Sequence, residues 1–209
     1  MTFISIKKIR NFHKRIVAYF VRNRFRKRVT LVGKNHKFFS SARIMLAWGA
    51  KKENVVLHSN CDIFGSIITC GNGRIILHEW VHLGSHSILN AVNLIEIGRD
   101  TTISYNVTIQ DNNSHPINPD DRRYMRHTPH GSVERSAHLS ANAPIIIGEN
   151  VLVGAYSRIC KGVTIGDNAI IAANSVVTHD VPANTIVAGN PAKIVKHDID
   201  KTTPIFPLQ

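Results

Sequence analysis

A branched aliphatic residue recurs at every sixth position through the second half of this chain. The positions are Ile147, Val153, Ile159, Ile165, Ile171 and Val177. A period of six fits neither the 3.6-residue turn of an α-helix nor the two-residue alternation of a single strand. A short fixed repeat is typical of a stacked architecture in which each turn contacts only its neighbours. We therefore predict a solenoid.

The residues beside the aliphatic positions suggest the shape of one coil. A small residue follows each aliphatic, and small residues let the chain turn a corner without a steric clash. Three six-residue faces would close a triangular prism, so residues 147–164 and 165–182 are predicted to be successive coils of roughly seven or eight. A β-sandwich is the alternative, but its strands alternate apolar and polar residues and turn every eight to twelve residues. The same phase recurs upstream at Leu77, Leu83, Leu89, Ile97, Ile103 and Ile109.

One long interruption divides the repeat. From Ile109 to Ile147 the chain has no period of six, and it contains prolines and other turn formers. Loops of this length inside a compact domain are usually functional or disordered. We predict that residues 111–143 leave the prism as an extended loop, and that the solenoid itself spans residues 53–196, followed by a tail at 197–209.

The positive charge of the chain is concentrated at the N-terminus. Of the 26 Lys and Arg residues, 15 lie in residues 1–52, which contain no Asp or Glu. Within this segment Ile9, Phe12, Ile16 and Phe20 have helical spacing, which predicts a basic amphipathic helix. Such a helix fits an anionic membrane surface or packing within the protein, and both alternatives stay open. No recognised nucleic-acid module accompanies it, so nucleic acid is not the expected partner.

Three further features bear on location. We expect no secretory signal, because the longest apolar run of this segment is short and is bounded by Arg15 and Arg22. No stretch approaches the about 20 apolar residues of a membrane span. Three cysteines without a Cys-x-x-Cys spacing suggest a reducing compartment. We expect a cytoplasmic protein, with peripheral contact at the inner face of the membrane as the alternative.

The second half of the chain resembles a known family. Residues 145–196, which contain IIIGENVLVGAYSRICKGVTIG and AGNPAKIVK, are similar to the C-terminal half of hexapeptide-repeat acyltransferases, and most similar to sugar O-acetyltransferases. A weaker likeness extends back to about residue 55. The resemblance implies an all-β protein with a left-handed parallel β-helix. It also implies acetyl-CoA as co-substrate, no required metal, and a homotrimer with active sites between subunits.

The resemblance implies a general base in the long loop. Ser114-His115-Pro116 follows the Asn106–Ile109 segment, and the matching histidine in the family removes the proton from the acceptor hydroxyl. An imidazole suits this role because it titrates near neutral pH. Asp111 is a candidate to hold the other ring nitrogen of His115, as in a catalytic triad, although an ordinary exposed aspartate is equally consistent. The competing loop histidines are His127, His130 and His138.

Other candidates concern binding of the two substrates. Asn90 matches an asparagine that the family places near the acceptor. Arg122 and Arg123, with Arg126 and Arg135 nearby, are candidates to clamp an acidic glycan or a phosphate. For coenzyme A, the resemblance implies small residues along the pantetheine arm and lysines at the nucleotide phosphates. These positions are Gly154, Ala155, Ala172, Ala173, Thr178, Lys193 and Lys196.

Together these features predict an acetyl-CoA-dependent O-acetyltransferase. Its acceptor would be a sugar hydroxyl of a surface or capsular polysaccharide or of a precursor. An N-acetyltransferase of an amino sugar nucleotide is the nearest alternative. Two other classes are a non-catalytic solenoid and a γ-type carbonic anhydrase. The last needs three converging histidines, and the four-residue spacing of His78, His82 and His86 would point them in different directions on six-residue faces.

Overall fold

Three parallel sheets form the body of the protein. The computed structural model describes residues 24–206, and the predicted helix through Ile9, Phe12, Ile16 and Phe20 lies outside them. Sheet A contains β1 (Thr30–Leu31), β4 (Val55–Leu57), β7 (Arg74–Leu77), β10 (Leu94–Ile97), β13 (Ile145–Ile147) and β16 (Thr164–Ile165). Sheet B contains β2 (Lys37–Phe38), β5 (Asp62–Ile63), β8 (His82–Leu83), β11 (Thr102–Ile103), β14 (Leu152–Val153), β17 (Ile170–Ile171), β19 (Ile186–Gly189) and β20 (Ala192–Lys196). Sheet C contains β3 (Arg43–Ala47), β6 (Ser66–Cys70), β9 (Ile88–Ala91), β12 (Thr108–Gln110), β15 (Arg158–Ile159) and β18 (Val176–Val177).

The strand register confirms the six-residue phase. Ile147 pairs with Ile165 across one coil of 18 residues, and Val153 pairs with Ile171 in the same way. The upstream positions join the same columns, since Leu77 pairs with Ile97. The aliphatic side chains of these columns are 0–1% exposed and fill the prism. The fold is the predicted left-handed parallel β-helix of the all-β class.

The solenoid begins earlier and has fewer coils than the sequence predicts. Strands β1, β2 and β3 lie within the segment assigned to residues 1–52, and they pair in parallel with β4, β5 and β6. The boundary at residue 52 was therefore wrong, because Phe25, Phe38 and Ile44 already belong to the buried core. Within residues 24–206, sheets A and C contain six coil strands each. Val181 and β19 add a partial seventh coil, against the roughly seven or eight predicted.

Asparagine, more than glycine, shapes the corners. We name the links between sheets the A–B, B–C and C–A corners. At the A–B corner the residue with positive φ is Asn60, Trp80, Asp100, Asn150, Asn168 or Asn184 in successive coils. Gly154 is not among the corner residues with positive φ, but a Cβ there would lie 2.5 Å from the Ala173 nitrogen of the next coil. Asparagine tolerates the left-handed conformation, and this glycine makes room between coils.

The long loop is more ordered than predicted. Residues 111–143 were expected to be extended, but they contain a nine-residue helix, α1 (Pro119–His127), and 3-10 turns at Val133–Arg135 and Ala137–Leu139. The antiparallel hairpin of β19 and β20 ends the solenoid and covers the edge of sheet B. Within residues 24–206, no helix combines the length and apolar character needed to cross a bilayer.

Candidate active site

The loop leaves the solenoid at a C–A corner through a short antiparallel neck. Asn112 pairs with Asn142 in an isolated bridge. The Asn113 N–H donates to the Ala141 carbonyl at 3.0 Å, and the Ala143 N–H donates to the Asp111 carbonyl at 3.0 Å. These bonds hold the two ends of the loop together. They fix where the loop stands relative to the end of β12.

Asp111 is part of this neck and does not form a catalytic pair with His115. Its side chain is fully buried, and its carboxylate accepts from the N–H groups of Val92 and Asn93 at 2.8–3.1 Å. Asn112 Nδ2 donates to the same carboxylate at 3.0 Å. The prediction that Asp111 orients the imidazole was therefore wrong. The carboxylate is used to bind the turn after β9, because a buried charge needs several donors.

A second polar network fixes the residue before His115. Gln110 Nε2 donates to Asn112 Oδ1 at 3.0 Å and to Ser114 Oγ at 2.5 Å. The Ser114 N–H donates back to Asn112 Oδ1 at 2.9 Å, and Ser114 has a positive φ of 63°. This tight turn presents His115 outward, where its side chain is exposed. The sequence did not single out Gln110 or Asn112, whose role depends on the turn that follows them.

His115 lies at a cavity of about 370 Å³ formed by the loop. The cavity is lined by His115, Arg122, Met125, Arg126 and Arg135. Three of these residues have i, i+3, i+4 spacing on α1 and so share one face of the helix. The structure thus brings His115 together with three arginines beside a buried methionine, Met125.

The helix itself has a clear local cause. The Asn118 side chain accepts from the N–H groups of Asp120 and Asp121, and Pro119 occupies the first turn. This is a standard N-cap with proline at the start and acidic residues at the positive end of the helix dipole. The Asn118–Asp121 sequence therefore contains an N-cap signal for a helix. A helix was not predicted here, because a six-residue period does not report one.

The two arginines predicted to bind substrate lie on different faces of α1. Arg122 lines the cavity, whereas Arg123 lies on another face of α1 and pairs with Asp120 at 3.0 Å. Arg123 is therefore not part of the cavity lining, and the prediction that it binds substrate gains no support from its position. Arg135 also lines the cavity. Its guanidinium donates to the backbone carbonyl of Arg126 at 2.7 Å and to that of Thr128 at 3.0 Å.

Asn90 and the competing histidines lie elsewhere. Asn90 is beside Gln110 in the register of sheet C, under the start of the loop, and does not line the cavity. His127 is exposed at the end of α1. The His130 ring contacts Arg135 at 3.2 Å. His138 Nδ1 lies 2.5 Å from Ser136 Oγ and 3.8 Å from Cys70 Sγ, where the loop packs back on β6.

The predicted coenzyme A positions lie in three places, and none of them lines the cavity at His115. Gly154 and Ala155 lie at the B–C corner, directly over Ala172 and Ala173 of the next coil, and the Gly154 N–H donates to the Ile171 carbonyl at 2.8 Å. Thr178 follows β18 at the C–A corner, and Lys193 and Lys196 are exposed on β20. In one chain, sheet C separates the small residues of the B–C corner from the loop that carries His115.

Comparison with known proteins places the repeat in a family. Residues 144–179 match the family model for the bacterial transferase hexapeptide, described as six repeats. WbbJ of Escherichia coli K12, described as a lipopolysaccharide biosynthesis O-acetyl transferase, is 32% identical over 135 residues, which cover 65% of this chain and 63% of that protein. The galactoside O-acetyltransferase of the same strain is 33% identical over 114 residues, covering 51% of this chain and 56% of that protein.

Two other matches show less, because one covers a short segment and the other concerns only the fold. A Staphylococcus aureus 2,3,4,5-tetrahydropyridine-2,6-dicarboxylate N-acetyltransferase is 54% identical over 54 residues, 26% of this chain and 23% of that protein. The solved structure of AntD, an N-acyltransferase from Bacillus cereus, covers 81% of this chain and 84% of its own with a TM-score of 0.63 at 18% identity. That likeness concerns the fold.

Residues 144–179 therefore match the hexapeptide-repeat transferase family, in agreement with the resemblance of residues 145–196. The matches span less than two thirds of the length of the curated relatives named above. The three histidines of the carbonic anhydrase alternative do not converge, since His78 follows a sheet A strand, His82 lies in sheet B and His86 lies at a B–C corner.

Proposed function

We propose that the protein is an acetyl-CoA-dependent O-acetyltransferase that acts on a sugar hydroxyl of a surface or capsular polysaccharide or its precursor. The observation that carries this proposal is the exposed imidazole of His115 at an arginine-lined cavity on a hexapeptide solenoid. Two relatives named as O-acetyltransferases match half or more of the chain and support the choice of acceptor atom.

The reaction needs one base and no covalent intermediate. His115 takes the proton from the acceptor hydroxyl as its oxygen attacks the thioester carbonyl of acetyl-CoA. The carbon–sulfur bond breaks, the acetyl group passes to the sugar oxygen, and the proton leaves with the coenzyme A thiol. Backbone N–H groups stabilise the developing oxyanion. The turn at Gln110, Asn112 and Ser114 contributes by holding His115 in one position.

The cavity favours an acceptor with negative charge. Arg122, Arg126 and Arg135 converge with His115, and Arg135 is already anchored by backbone carbonyls. Guanidinium groups bind phosphate and carboxylate oxygens through paired hydrogen bonds. The acceptor is then an acidic glycan, or a precursor that carries a phosphate, with its hydroxyl directed to His115.

The active site is completed by a second copy of the chain. Sheet C separates the small residues of the B–C corner from the His115 loop of the same chain. In a homotrimer, the pantetheine arm lies along Gly154, Ala155, Ala172 and Ala173 of one subunit and reaches the loop of the next. Thr178 lies at the C–A corner, across sheet C from these small residues, and stays a proposed contact of coenzyme A. Lys193 and Lys196 supply positive charge for the nucleotide phosphates. We place the enzyme in the cytoplasm, with its basic N-terminal segment at the inner face of the membrane.

The second candidate is N-acetylation of an amino sugar nucleotide. An amine acceptor also needs a base, and three arginines at the cavity suit a nucleotide diphosphate as well as an acidic glycan. The match to the Staphylococcus aureus enzyme supports N-acetylation over a short segment, but the substrate in that enzyme's name is a dicarboxylate and not a sugar nucleotide. Acetyl transfer to matched hydroxyl and amino sugars, each with and without phosphate, distinguishes the two.

The sharpest test of the proposal is replacement of the base. His115→Ala is expected to lower kcat by about a hundred- to ten-thousand-fold, the usual contribution of a general base. Coenzyme A affinity, measured by titration, is expected to stay within about twofold, because none of the proposed groove residues changes. The limb of the pH–rate profile near neutrality is expected to disappear.

His127→Ala is the matched control, since it is an exposed histidine of the same loop that does not line the cavity. It is expected to retain wild-type activity. Loss of activity in His127→Ala with more than half retained in His115→Ala would show that the base is misassigned. Failure of wild-type protein to transfer acetyl to any hydroxyl or amino acceptor would overturn the proposed function itself.

A further inference from the structure

Two histidines from successive coils meet at the A–B corner. His58 follows β4 and His78 follows β7, one position after the paired residues Leu57 and Leu77. Their rings stack with centroids 5.1 Å apart and an angle of 21° between the planes. The equivalent position is glycine in the next three coils, at Gly98, Gly148 and Gly166. The imidazole pair is therefore a local departure from the repeat.

Two carboxylates complete this cluster. Glu79 Oε1 lies 3.3 Å from His58 Nδ1, and Glu96 Oε1 lies 2.8 Å from His78 Nε2. One ligand atom each of His58, His78 and Glu79 lies within 4.8 Å of the other two. All four side chains are 27–44% exposed, so the cluster is open to solvent at one side.

The donor atoms of the cluster suit a transition-metal cation. Arg99, at the A–B corner of the next coil, is paired with Glu149 at 2.9 Å. Two imidazole nitrogens and a carboxylate oxygen form a donor set that zinc, nickel and copper prefer over magnesium or calcium.

We propose that His58, His78 and Glu79 bind one divalent transition-metal ion, with zinc as the best match, and that water occupies the fourth position. Zinc–nitrogen bonds of about 2.0–2.1 Å place tetrahedral ligand atoms about 3.3–3.4 Å apart, so small side-chain rotations close the set. Glu96 accepts from His78 and orients the ring as an outer carboxylate, a common arrangement at metal sites.

The ion joins two neighbouring coils in the N-terminal half of the solenoid. The site lies at the A–B corners after β4 and β7, whereas the loop with His115 leaves from the C–A corner after β12, in the coil that follows that of His78. The metal therefore stabilises the solenoid and takes no part in acetyl transfer. This makes the site independent of the proposed function.

The test uses the full chain after treatment with EDTA and removal of the chelator. Titration with Zn²⁺ is expected to give one ion per chain at micromolar affinity or tighter, with a higher melting temperature. Co²⁺ is expected to give the intense visible absorption of a tetrahedral site. His78→Ala is expected to weaken zinc binding at least tenfold and to abolish the Co²⁺ spectrum. Glu96→Gln is expected to weaken binding about 10–100-fold while keeping one ion per chain.

His82→Ala is the matched control, because His82 lies one strand further along and outside the cluster. It is expected to bind as wild type. Glu79→Gln, which conserves side-chain shape, serves if His78→Ala does not fold, and it is expected to lose affinity in the same way. Wild-type protein that binds no zinc, or a Glu79→Gln variant that binds as tightly as wild type, overturns the proposal. Acetyl transfer is expected to be equal with and without zinc.

Discussion

Asp111 is predicted to be a structural residue whose loss destabilises the loop neck. Its buried carboxylate accepts two backbone N–H groups and one side-chain amide. Asp111→Ala leaves these donors without a partner, so we expect a loss of about 2–4 kcal/mol in the free energy of unfolding. Urea denaturation measures it. Asp180→Ala is the control, because Asp180 is exposed and accepts one backbone N–H at 2.7 Å.

The control is expected to lose less than about 1 kcal/mol. Equal losses in the two variants would show that burial of Asp111 contributes nothing. The pH–rate profile distinguishes the structural role from the catalytic one. If the carboxylate oriented His115, as the sequence suggested, Asp111→Ala would move the neutral limb of that profile in protein that is still folded.

Cys61 is predicted to be unreactive in the folded protein. Burial raises the pKa of its thiol to about 12, and the thiol donates to the His78 carbonyl at 3.1 Å. At pH 8 roughly one thiol in ten thousand is then ionised, so alkylation is slow. We expect iodoacetamide to modify half-exposed Cys160 first, and Cys61 only after unfolding. Mass spectrometry of peptides from native and denatured protein checks this.

The raised pKa of the Cys61 thiol makes the stability of the folded protein depend on pH. The folded chain keeps the Cys61 proton, whereas the unfolded chain releases it above the ordinary pKa of 9.0. Stability from this group is therefore complete below pH 9 and declines as pH rises toward 12. A Cys61→Ser variant whose unfolding midpoint falls as steeply above pH 9 as that of wild type would contradict the assignment.

Individual site residues differ in how far sequence could place them. His115 was predicted from the resemblance of Ser114-His115-Pro116 to the family's motif. The structure leaves its side chain exposed at the arginine-lined cavity, and its role as the base stays a prediction. The contacts of Asp111 and Arg123 were not predicted, because they depend on partners distant in sequence or on the face of an unrecognised helix. Sequence spacing reports such partners only when the local geometry is already known.

An asparagine ladder at the A–B corner is predicted to stabilise the C-terminal coils. Asn168 has a φ of 59°; its amide donates to Asn184 at 2.8 Å and accepts from Asn150 at 2.9 Å. Asn168→Ala loses the ladder bonds and strains the backbone, so we expect a loss of about 2 kcal/mol in the free energy of unfolding. Asn168→Gly loses only the bonds, and about half that cost is expected. Urea denaturation of both variants compares them, and equal losses would mean that the left-handed backbone costs alanine nothing.

The elements of the prism were more predictable than those of the loop. A strand column repeats the same requirement in every coil, so Ile147, Ile165 and their equivalents carry a signal that accumulates along the chain. Helix α1 occurs once, and its evidence is confined to the cap at Asn118. The cavity depends on that helix, since Arg122 and Arg126 share a face only when the segment is helical. The six-residue period therefore predicted the strands of the solenoid but not the helix that lines the cavity.

For the whole molecule, the start of the solenoid was harder to locate than its period. The basic composition of residues 1–52 suggested one separate segment. The basic side chains, however, lie on the outer face of the first coil. Exposed Lys37 precedes buried Phe38, and exposed Arg43 precedes buried Ile44. The two-residue and five-residue strands of this first coil are too short to show alternation among basic residues. The register with β5 and β6 reveals them.

This boundary predicts two different outcomes for N-terminal deletions. Removing residues 1–22 deletes six Lys and Arg and leaves β1 intact, so we expect an unchanged melting temperature and normal acetyl transfer to a soluble acceptor. Binding to vesicles with anionic phosphatidylglycerol at low salt is expected to fall at least tenfold.

Removing residues 1–45 also deletes β1 and β2 and cuts into β3. This deletion exposes the core at Ile63 and Ile67, so it is expected to lower the melting temperature sharply. Sedimentation with vesicles and thermal denaturation separate the two effects. Equal vesicle binding by the full chain and the shorter deletion would exclude the membrane role, and a stable 46–209 fragment would show that the first coil is not part of the folding unit.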